Sequence, residues 1–250
     1  ITKSYSEKML LKDISLYISE GDKIGVVGVN GTGKSTLLKI IAGAETPDSG
    51  TVSKAGGLRV GYLPQNPVFG EDITILEQVF QGASQEIKEM KEHEAKTILT
   101  KLGLVDFDKD VRLLSGGEKK RVSIASALIH PSDLLILDEP TAVLTPQEIT
   151  GLFKTVRTMA RQGLSVILIT HKFAEVLDVS DRITVLRKGK LIGTVNTKSI
   201  NDRELARMMV GRDVIFQVEK EARSPGEKVL ELSGVSLRNA QKTLKLDDIN

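Results

Sequence analysis

A glycine-rich loop near the start of the chain constrains the possible folds more than any other feature. Residues 28–36 read GVNGTGKST, which fits the pattern Gly-x-x-x-x-Gly-Lys-Ser/Thr through Gly28, Gly33, Lys34 and Ser35. Glycines let successive backbone N–H groups point into one concavity, and a following helix adds the positive end of its dipole. The loop therefore predicts a polyphosphate site, whereas the simpler alternative is a glycine-rich turn that binds nothing.

Side chains of this loop would complete the predicted site. Lys34 would reach the β- and γ-phosphates of the ligand, and the Ser35 hydroxyl would ligate Mg²⁺. The other positions expected to line the phosphates are Gly28, Asn30, Gly31, Thr32, Gly33 and Thr36.

Around the loop, apolar strand-like runs alternate with helix-like segments. Residues 23–29 form a continuous apolar run typical of a buried parallel strand, and residues 34–43 have helical spacing. Further strands are predicted at 58–63, 133–137 and 164–170, a hairpin at 181–195, and helices at 145–161 and 201–210. This order predicts an α/β P-loop NTPase fold with a mostly parallel central sheet and an antiparallel β part.

A helical stretch at about residues 66–131 interrupts the alternation and predicts an inserted helical subdomain. Within it, LSGGE opens a helix at which Ser115 and Glu118 have the spacing of a capping box. The helix start also carries Gly116 and Gly117, so its N–H groups could form a second anion site. The alternative is a well-capped helix and nothing more.

Two adjacent carboxylates, Asp138 and Glu139, follow the apolar strand at 133–137. Ligands of open α/β sheets bind beyond the carboxyl ends of the strands. Adjacent side chains point in different directions, so Asp138 would face Mg²⁺ and Glu139 an attacking water, unless both only cap a turn. His171 follows the strand at 164–170, which predicts the same sheet edge, although a lone histidine there is more often a loop residue.

Composition limits the remaining possibilities. The net charge of +2 gives no support for nucleic-acid contacts, and we expect no direct DNA binding. The absence of cysteine excludes disulfides and thiolate chemistry. No apolar run approaches the roughly 18 residues that span a bilayer, so any membrane role would be peripheral.

The end of the chain predicts the beginning of a second copy of the same domain. Residues 211–228 are polar and contain proline and glycine, as linkers do, and strand-like runs follow at 229–237 and 244–249. The LKDIS segment at 11–15 aligns with LDDIN at 246–250.

Taken together, the motifs resemble the nucleotide-binding cassette of the ABC ATPase family over about residues 1–215. The matching elements are GVNGTGKST as Walker A, Gln65 as the Q-loop, LSGGE as the signature, LLILDEP as Walker B and His171 as the switch histidine. The resemblance implies a cassette at 1–215 with its helical subdomain at about 66–131. Residues 216–250 would then be a linker and the truncated start of a second cassette.

The resemblance also implies ATP and Mg²⁺ as ligands and a role for each residue. Gln65 and His171 would sense the γ-phosphate, Gln65 would lie near the metal that Asp138 supports, and Glu139 would be the general base. Tyr5 matches an aromatic position that stacks on adenine, although it could equally be a surface residue.

The signature residues Ser115, Gly116 and Gly117 are expected to contact the γ-phosphate of ATP bound on an opposing cassette. A complete site would therefore need two cassettes, as a homodimer or a hetero-pair. The chain departs from the family pattern at Glu118, where glutamine is usual, and at Thr145, which replaces the D-loop aspartate. The change at Glu118 brings the affinity of the dimer into question, and the change at Thr145 brings the coupling between the two sites into question.

Different parts of the chain resemble different branches of the family. Residues 1–141 look closest to the ABC-F class of ribosome-associated factors, and residues 138–250 to tandem-cassette ATPases of sugar or nucleoside importers. A chimera or a designed sequence would account for both.

Three functions follow as hypotheses. The first is the energising subunit of an importer, cytoplasmic at the inner face of the cell membrane and docked on permease subunits through the helical subdomain. The second is a regulator bound to the ribosome, and the third is a nucleotide-binding scaffold with little turnover. The variant at Thr145 and the repeated tail favour the importer.

Overall fold

The computed structural model describes residues 1–6, 8–212, 231–238 and 244–249. The chain divides into two compact units, Ile1–Val214 and Ile215–Asn250. The strands of the first unit are β1 (Lys3–Tyr5), β2 (Lys8–Leu11), β3 (Lys23–Val27), β4 (Val60–Leu63), β5 (Leu134–Asp138), β6 (Ser165–Ile169), β7 (Arg182–Arg187) and β8 (Lys190–Asn196). Its helices are α1 (Lys34–Ala42), α2 (Ile75–Val79), α3 (Gln85–Lys101), α4 (Gly116–Ile129), α5 (Pro146–Arg161), α6 (Phe173–Val179) and α7 (Asp202–Val210).

A six-stranded sheet with the order β4-β5-β6-β3-β7-β8 forms the centre of the first unit. Strands β4, β5, β6, β3 and β7 are parallel to one another, and β8 pairs antiparallel with β7. All residues of β5 and β6 are buried, because both faces of a parallel sheet are covered, whereas β8 at the edge is partly exposed. The predicted mostly parallel sheet with an antiparallel part is confirmed.

Alternate residues of the central strands enter two different buried clusters. In β6, Ile167 packs in the cluster that contains Leu37 of α1, whereas Leu168 packs in the cluster that contains Phe153 of α5. Successive side chains of a strand point to opposite faces of the sheet. Helices therefore cover both faces, and the carboxyl ends of β3, β5 and β6 remain at one edge.

The predicted helical stretch contains α2, α3 and α4, which contact one another. Their buried residues, such as Val79, Leu99 and Ile124, belong to the same cluster as Leu63 and Leu137 of the sheet. Burial against the sheet thus fixes the position of α4 relative to the strand ends.

The second unit contains a pair of antiparallel strands, β9 (Val235–Arg238) and β10 (Leu244–Ile249). Residues 213–228 of the predicted linker lie outside the described residues. The assignment of this unit as the start of a second cassette stays a prediction.

Candidate active site

The loop between β3 and α1 curls around the ammonium group of Lys34. Lys34 Nζ donates hydrogen bonds to the carbonyl oxygens of Gly28 at 2.8 Å and Val29 at 3.2 Å. The Thr32 hydroxyl donates to the same Val29 oxygen at 2.8 Å. Burial lowers the pKa of Lys34, and the nearby carboxylates of Glu139 and Asp138 oppose that shift. The loop is therefore held in its curled form by its own side chains.

Two glycines of this loop are required by its geometry. Gly33 has a φ of 93°, and a Cβ atom there would lie 2.6 Å from Leu11 Cδ2. A Cβ atom on Gly28 would lie 2.4 Å from the Leu186 carbonyl oxygen. Gly33 also caps α1 and offers no side-chain acceptor to its first N–H groups. The start of α1 is thus suited to receive an anion from outside the chain.

Asp138 at the end of β5 has the features of a magnesium ligand. Its side chain is 1% exposed, and Oδ1 has no hydrogen-bond partner among the described residues. Burial raises the pKa of Asp138, and the nearby Ser35 hydroxyl partly offsets that rise. Mg²⁺ is usually held by one or two carboxylates together with substrate phosphates and water. An unpartnered carboxylate oxygen beside a hydroxyl fits that requirement.

Gln65, Glu139 and His171 come together at the same edge of the sheet. Gln65 Nε2 lies 3.4 Å from Glu139 Oε2, and His171 Nδ1 lies 3.6 Å from Glu139 Oε1. The Glu139 backbone has a φ of 48° and its N–H donates to the Ile169 carbonyl of β6 at 3.0 Å. The strand-end argument predicts the common edge of Glu139 and His171, whereas Gln65 was expected here only through the family resemblance. The individual roles of the three residues stay predictions.

The signature residues form the start of α4. The predicted capping box is present, because the Ser115 hydroxyl accepts from Glu118 N and Glu118 Oε2 accepts from Ser115 N at 2.8 Å. Lys109 Nζ lies 2.9 Å from Glu118 Oε1, and this contact, together with the capping bonds with Ser115, lowers the pKa of Glu118 to about 2. Gly116 and Gly117 occupy the first turn. In the part of the chain that the structure describes, no hydrogen bond or ion pair joins these residues to the phosphate loop.

Tyr5 and Thr145 lie at the positions that the sequence indicated. Tyr5 is 47% exposed, and its hydroxyl donates to Glu45 Oε1. An accessible ring is compatible with base stacking, which stays a prediction. Thr145 caps α5, where its hydroxyl accepts from Glu148 N. The residue that replaces the D-loop aspartate therefore has a structural task within its own chain.

Sequence reasoning missed two buried charged residues beside the site. Glu175 Oε2 accepts hydrogen bonds from the Thr141 hydroxyl at 2.6 Å and the Thr170 hydroxyl at 2.8 Å. It thereby links the loop after Glu139 to the strand end before His171. The second residue is Lys120 of α4, which is 6% exposed. Neither belongs to a motif, and a charged residue on a helix is normally expected to face solvent.

A phosphate loop at the start of α1, paired carboxylates after β5 and a signature helix on a mostly parallel sheet define an ATP-binding cassette. The family model described as "ABC transporter" matches residues 11–142, which is more than half of the chain. The chain therefore belongs to the ABC transporter family.

Curated relatives include several ATP-binding proteins of importers. The nucleoside import ATP-binding protein NupA of Lactococcus lactis is 35% identical over 100% of this chain and 53% of its own length. The glucose import ATP-binding protein TsgD13 of Haloferax volcanii is 34% identical over 94% of this chain and 51% of its own length. The chain spans about half the length of the curated relatives it matches.

A solved structure shares the fold. The dimeric bacterial ABC transporter cassette MJ0796 superimposes with a TM-score of 0.70 at 25% identity, covering 80% of this chain and 97% of that cassette. NupA aligns along the whole chain, so the comparisons give no confirmation that two different proteins were joined. Among the described residues, no helix is long and apolar enough to cross a membrane.

Proposed function

We propose that the chain binds ATP and hydrolyses it with Mg²⁺, as the energising part of a sugar or nucleoside importer. The observation that carries this proposal is the position of Glu139, held between Gln65 and His171 at the strand ends that also present Asp138. Such a carboxylate is suited to accept a proton from water. The adjoining loop and the open start of α1 are suited to hold the phosphates.

Each residue of the site has a task in this reaction. Lys34 and the N–H groups of α1 would hold the β- and γ-phosphates in place. Glu139 would accept a proton as water attacks the γ-phosphorus in line and the bond to the ADP oxygen breaks. Gln65 and His171 would keep the Glu139 carboxylate oriented. Ser35, Asp138 and Gln65 would hold Mg²⁺, which neutralises charge on the phosphates when it is bound.

The importer role is supported by the relatives. NupA and TsgD13 are named as nucleoside and glucose import ATP-binding proteins, and each is about twice as long as this chain. We propose that this cassette likewise pairs with a second cassette, a copy of itself or another, and docks on permease subunits at the inner face of the membrane. No comparison supports a ribosomal partner.

Substitution of Glu139 by glutamine tests the reaction. We expect Mg²⁺-dependent ATP turnover to fall about 100- to 1,000-fold, because the amide cannot accept the proton. ATP binding should persist, and ATP should shift the variant from monomer to dimer in sedimentation. The matched control is Glu86→Gln, which removes an exposed carboxylate from the first turn of α3. Unchanged turnover in Glu139→Gln would remove Glu139 from the role of base.

The importer assignment is tested separately. The tagged Glu139→Gln variant, loaded with ATP, should co-purify with integral membrane proteins that contain permease subunits. Recovery of ribosomes in their place would overturn the importer role while leaving the ATPase proposal intact.

A further inference from the structure

The signature helix carries a buried ammonium group that reaches the catalytic edge of the sheet. Lys120 Nζ of α4 lies 3.0 Å from the Pro64 carbonyl oxygen, 3.2 Å from that of Gln65 and 3.1 Å from that of Asp138. A lysine ammonium has three N–H donors, so three acceptors match its capacity. Among the described residues, Lys120 forms no ion pair with a carboxylate side chain. Its contacts are therefore with backbone positions.

These carbonyl groups belong to the backbone that positions two site residues, Gln65 and Glu139. The Asp138 carbonyl belongs to the peptide bond that joins Asp138 to Glu139. The oxygen of that peptide accepts from Lys120, and its N–H donates to Ile169 at 3.0 Å. The peptide plane ahead of Glu139 is thus held from both sides. On the other strand end, the contacts with Pro64 and Gln65 hold the backbone from which the Gln65 side chain projects.

Lys120 also belongs to the element that begins with the signature. Gly116 and Lys120 are four residues apart on α4, and such positions lie one above the other on a helix. A displacement at the start of α4 therefore moves the ammonium group relative to the three carbonyls. Among the described residues, no hydrogen bond or ion pair joins the phosphate loop to the signature, so we expect such a displacement to come from a second cassette.

We propose that Lys120 is a positioning residue that couples the placement of α4 to the geometry of Gln65 and Glu139. The proposal rests on the proposed ATPase function and extends it. Lys120 acts through the backbone of the two residues and does not touch the substrate. When a partner cassette contacts the signature of this chain, the movement of α4 would thereby change the positions of Gln65 and Glu139 in this same chain.

The test compares Lys120→Met and Lys120→Gln with the wild-type chain. The methionine variant keeps the aliphatic stem and loses all three donors, whereas the glutamine amide keeps two. We expect kcat of Lys120→Met to fall about 10- to 100-fold, since small misplacements of catalytic groups cost that much. The Kd for ATP, measured without hydrolysis on ice, should stay within about twofold because the phosphate loop is unchanged. Lys120→Gln should recover part of kcat.

The matched control is Lys119→Met on the same helix, since Lys119 lies over the Phe69 ring and contacts none of these carbonyls. Its kcat should equal that of the wild type. An unchanged kcat in both Lys120 variants, or a Kd that rises as much as kcat falls, would overturn the positioning role. If Lys120→Met does not fold, the same two criteria apply to Lys120→Gln. Absence of turnover in the wild-type chain would instead contradict the ATPase proposal itself.

Discussion

Two helix starts in this molecule follow glycine-containing motifs and were both predicted to bind anions, yet they are built differently. Helix α1 begins after Gly33, which offers its N–H groups no side-chain acceptor. Helix α4 begins after Ser115, and a complete capping box with Glu118 occupies its first turn. The first start has a buried ammonium group beside it, whereas the second has a carboxylate that Lys109 neutralises.

The two helix starts therefore differ in whether their N–H groups already have acceptors within the chain. The N–H groups of α1 are open to a ligand, whereas those of α4 have acceptors without one. Capping residues stabilise a helix start by satisfying N–H groups that otherwise lack partners. At α1 those groups are left for phosphate oxygens. At α4 the chain supplies its own acceptors, so an approaching phosphate would add to a helix start that is already formed. In the proposed composite site, the start of α1 would bind the phosphates of ATP, and the start of α4 would contact ATP held by the partner cassette.

The glycines at the two helix starts differ in the same way. Gly28 and Gly33 are surrounded by atoms of their own chain, and any side chain there would collide with them. Apart from its chain neighbours and the backbone of its own helix, Gly116 has no described atom within 4 Å of the position that a Cβ would occupy. The fold of this chain thus requires the loop glycines, but it gives no reason for a glycine at 116. A requirement at that position would have to come from a ligand or a partner.

The largest effect is expected at Lys34. Substitution by methionine removes the charged donor that would hold the phosphates, so we expect the Kd for ATP to rise at least about 100-fold. The Gly28 carbonyl would also lose its side-chain donor, at a cost of about 1–3 kcal/mol in the free energy of unfolding, whereas the Val29 carbonyl would keep the Thr32 hydroxyl as a donor. Nucleotide titration and urea unfolding measure the two effects. The control is Lys39→Met in the last turn of α1, and an unchanged Kd in Lys34→Met would disprove the role of the loop.

Alanine substitution of Gly28 and Gly116 tests the contrast between the glycines. Gly28→Ala should destabilise the fold by about 1–3 kcal/mol, because the new Cβ would meet the Leu186 carbonyl oxygen. Gly116→Ala should leave the free energy of unfolding unchanged within about 0.5 kcal/mol, since the site is open. If a partner closes on α4, Gly116→Ala should still weaken ATP-dependent dimer formation in sedimentation. Equal dimer formation in Gly116→Ala and the wild type would argue against contact at this position.

Motifs and periodicity were sufficient to predict the sheet, the phosphate loop and the edge that Glu139 and His171 share, whereas Gln65 follows only from the family resemblance. Those predictions rest on local rules, because parallel strands that end alike bring their following residues to one edge. The burial of Lys120 and Glu175 could not be predicted, because it depends on neighbours that are far away in the sequence. Lys120 contacts Pro64, which is 56 residues away, and Glu175 contacts Thr141, which is 34 residues away. Only the packing of α4 and α6 against the sheet creates these contacts.

The smallest effect is expected at Lys109. Its substitution tests whether the ion pair with Lys109 stabilises the Glu118 carboxylate at the start of α4. Lys109 is the main reason that the pKa of Glu118 is about 2 and not its ordinary 4.5. A pKa lowered in the folded state stabilises the protein above about pH 4.5, and that stability is lost as the pH falls towards 2. Lys109→Met should therefore cost about 0.5–1 kcal/mol at neutral pH, as expected for a partly exposed ion pair, and less under acid.

NMR titration of the Glu118 carboxyl measures the cause directly, with Lys101→Met at the end of α3 as the control. In Lys109→Met the midpoint should move from about 2 towards 4.5. A midpoint that stays near 2 would assign the shift to the capping bond with Ser115, the second largest contribution. The same variant leaves a carboxylate without its cation at the start of α4, where a phosphate of the partner cassette would arrive. Weaker ATP-dependent dimer formation would then show that Lys109 serves the composite site as well as the helix.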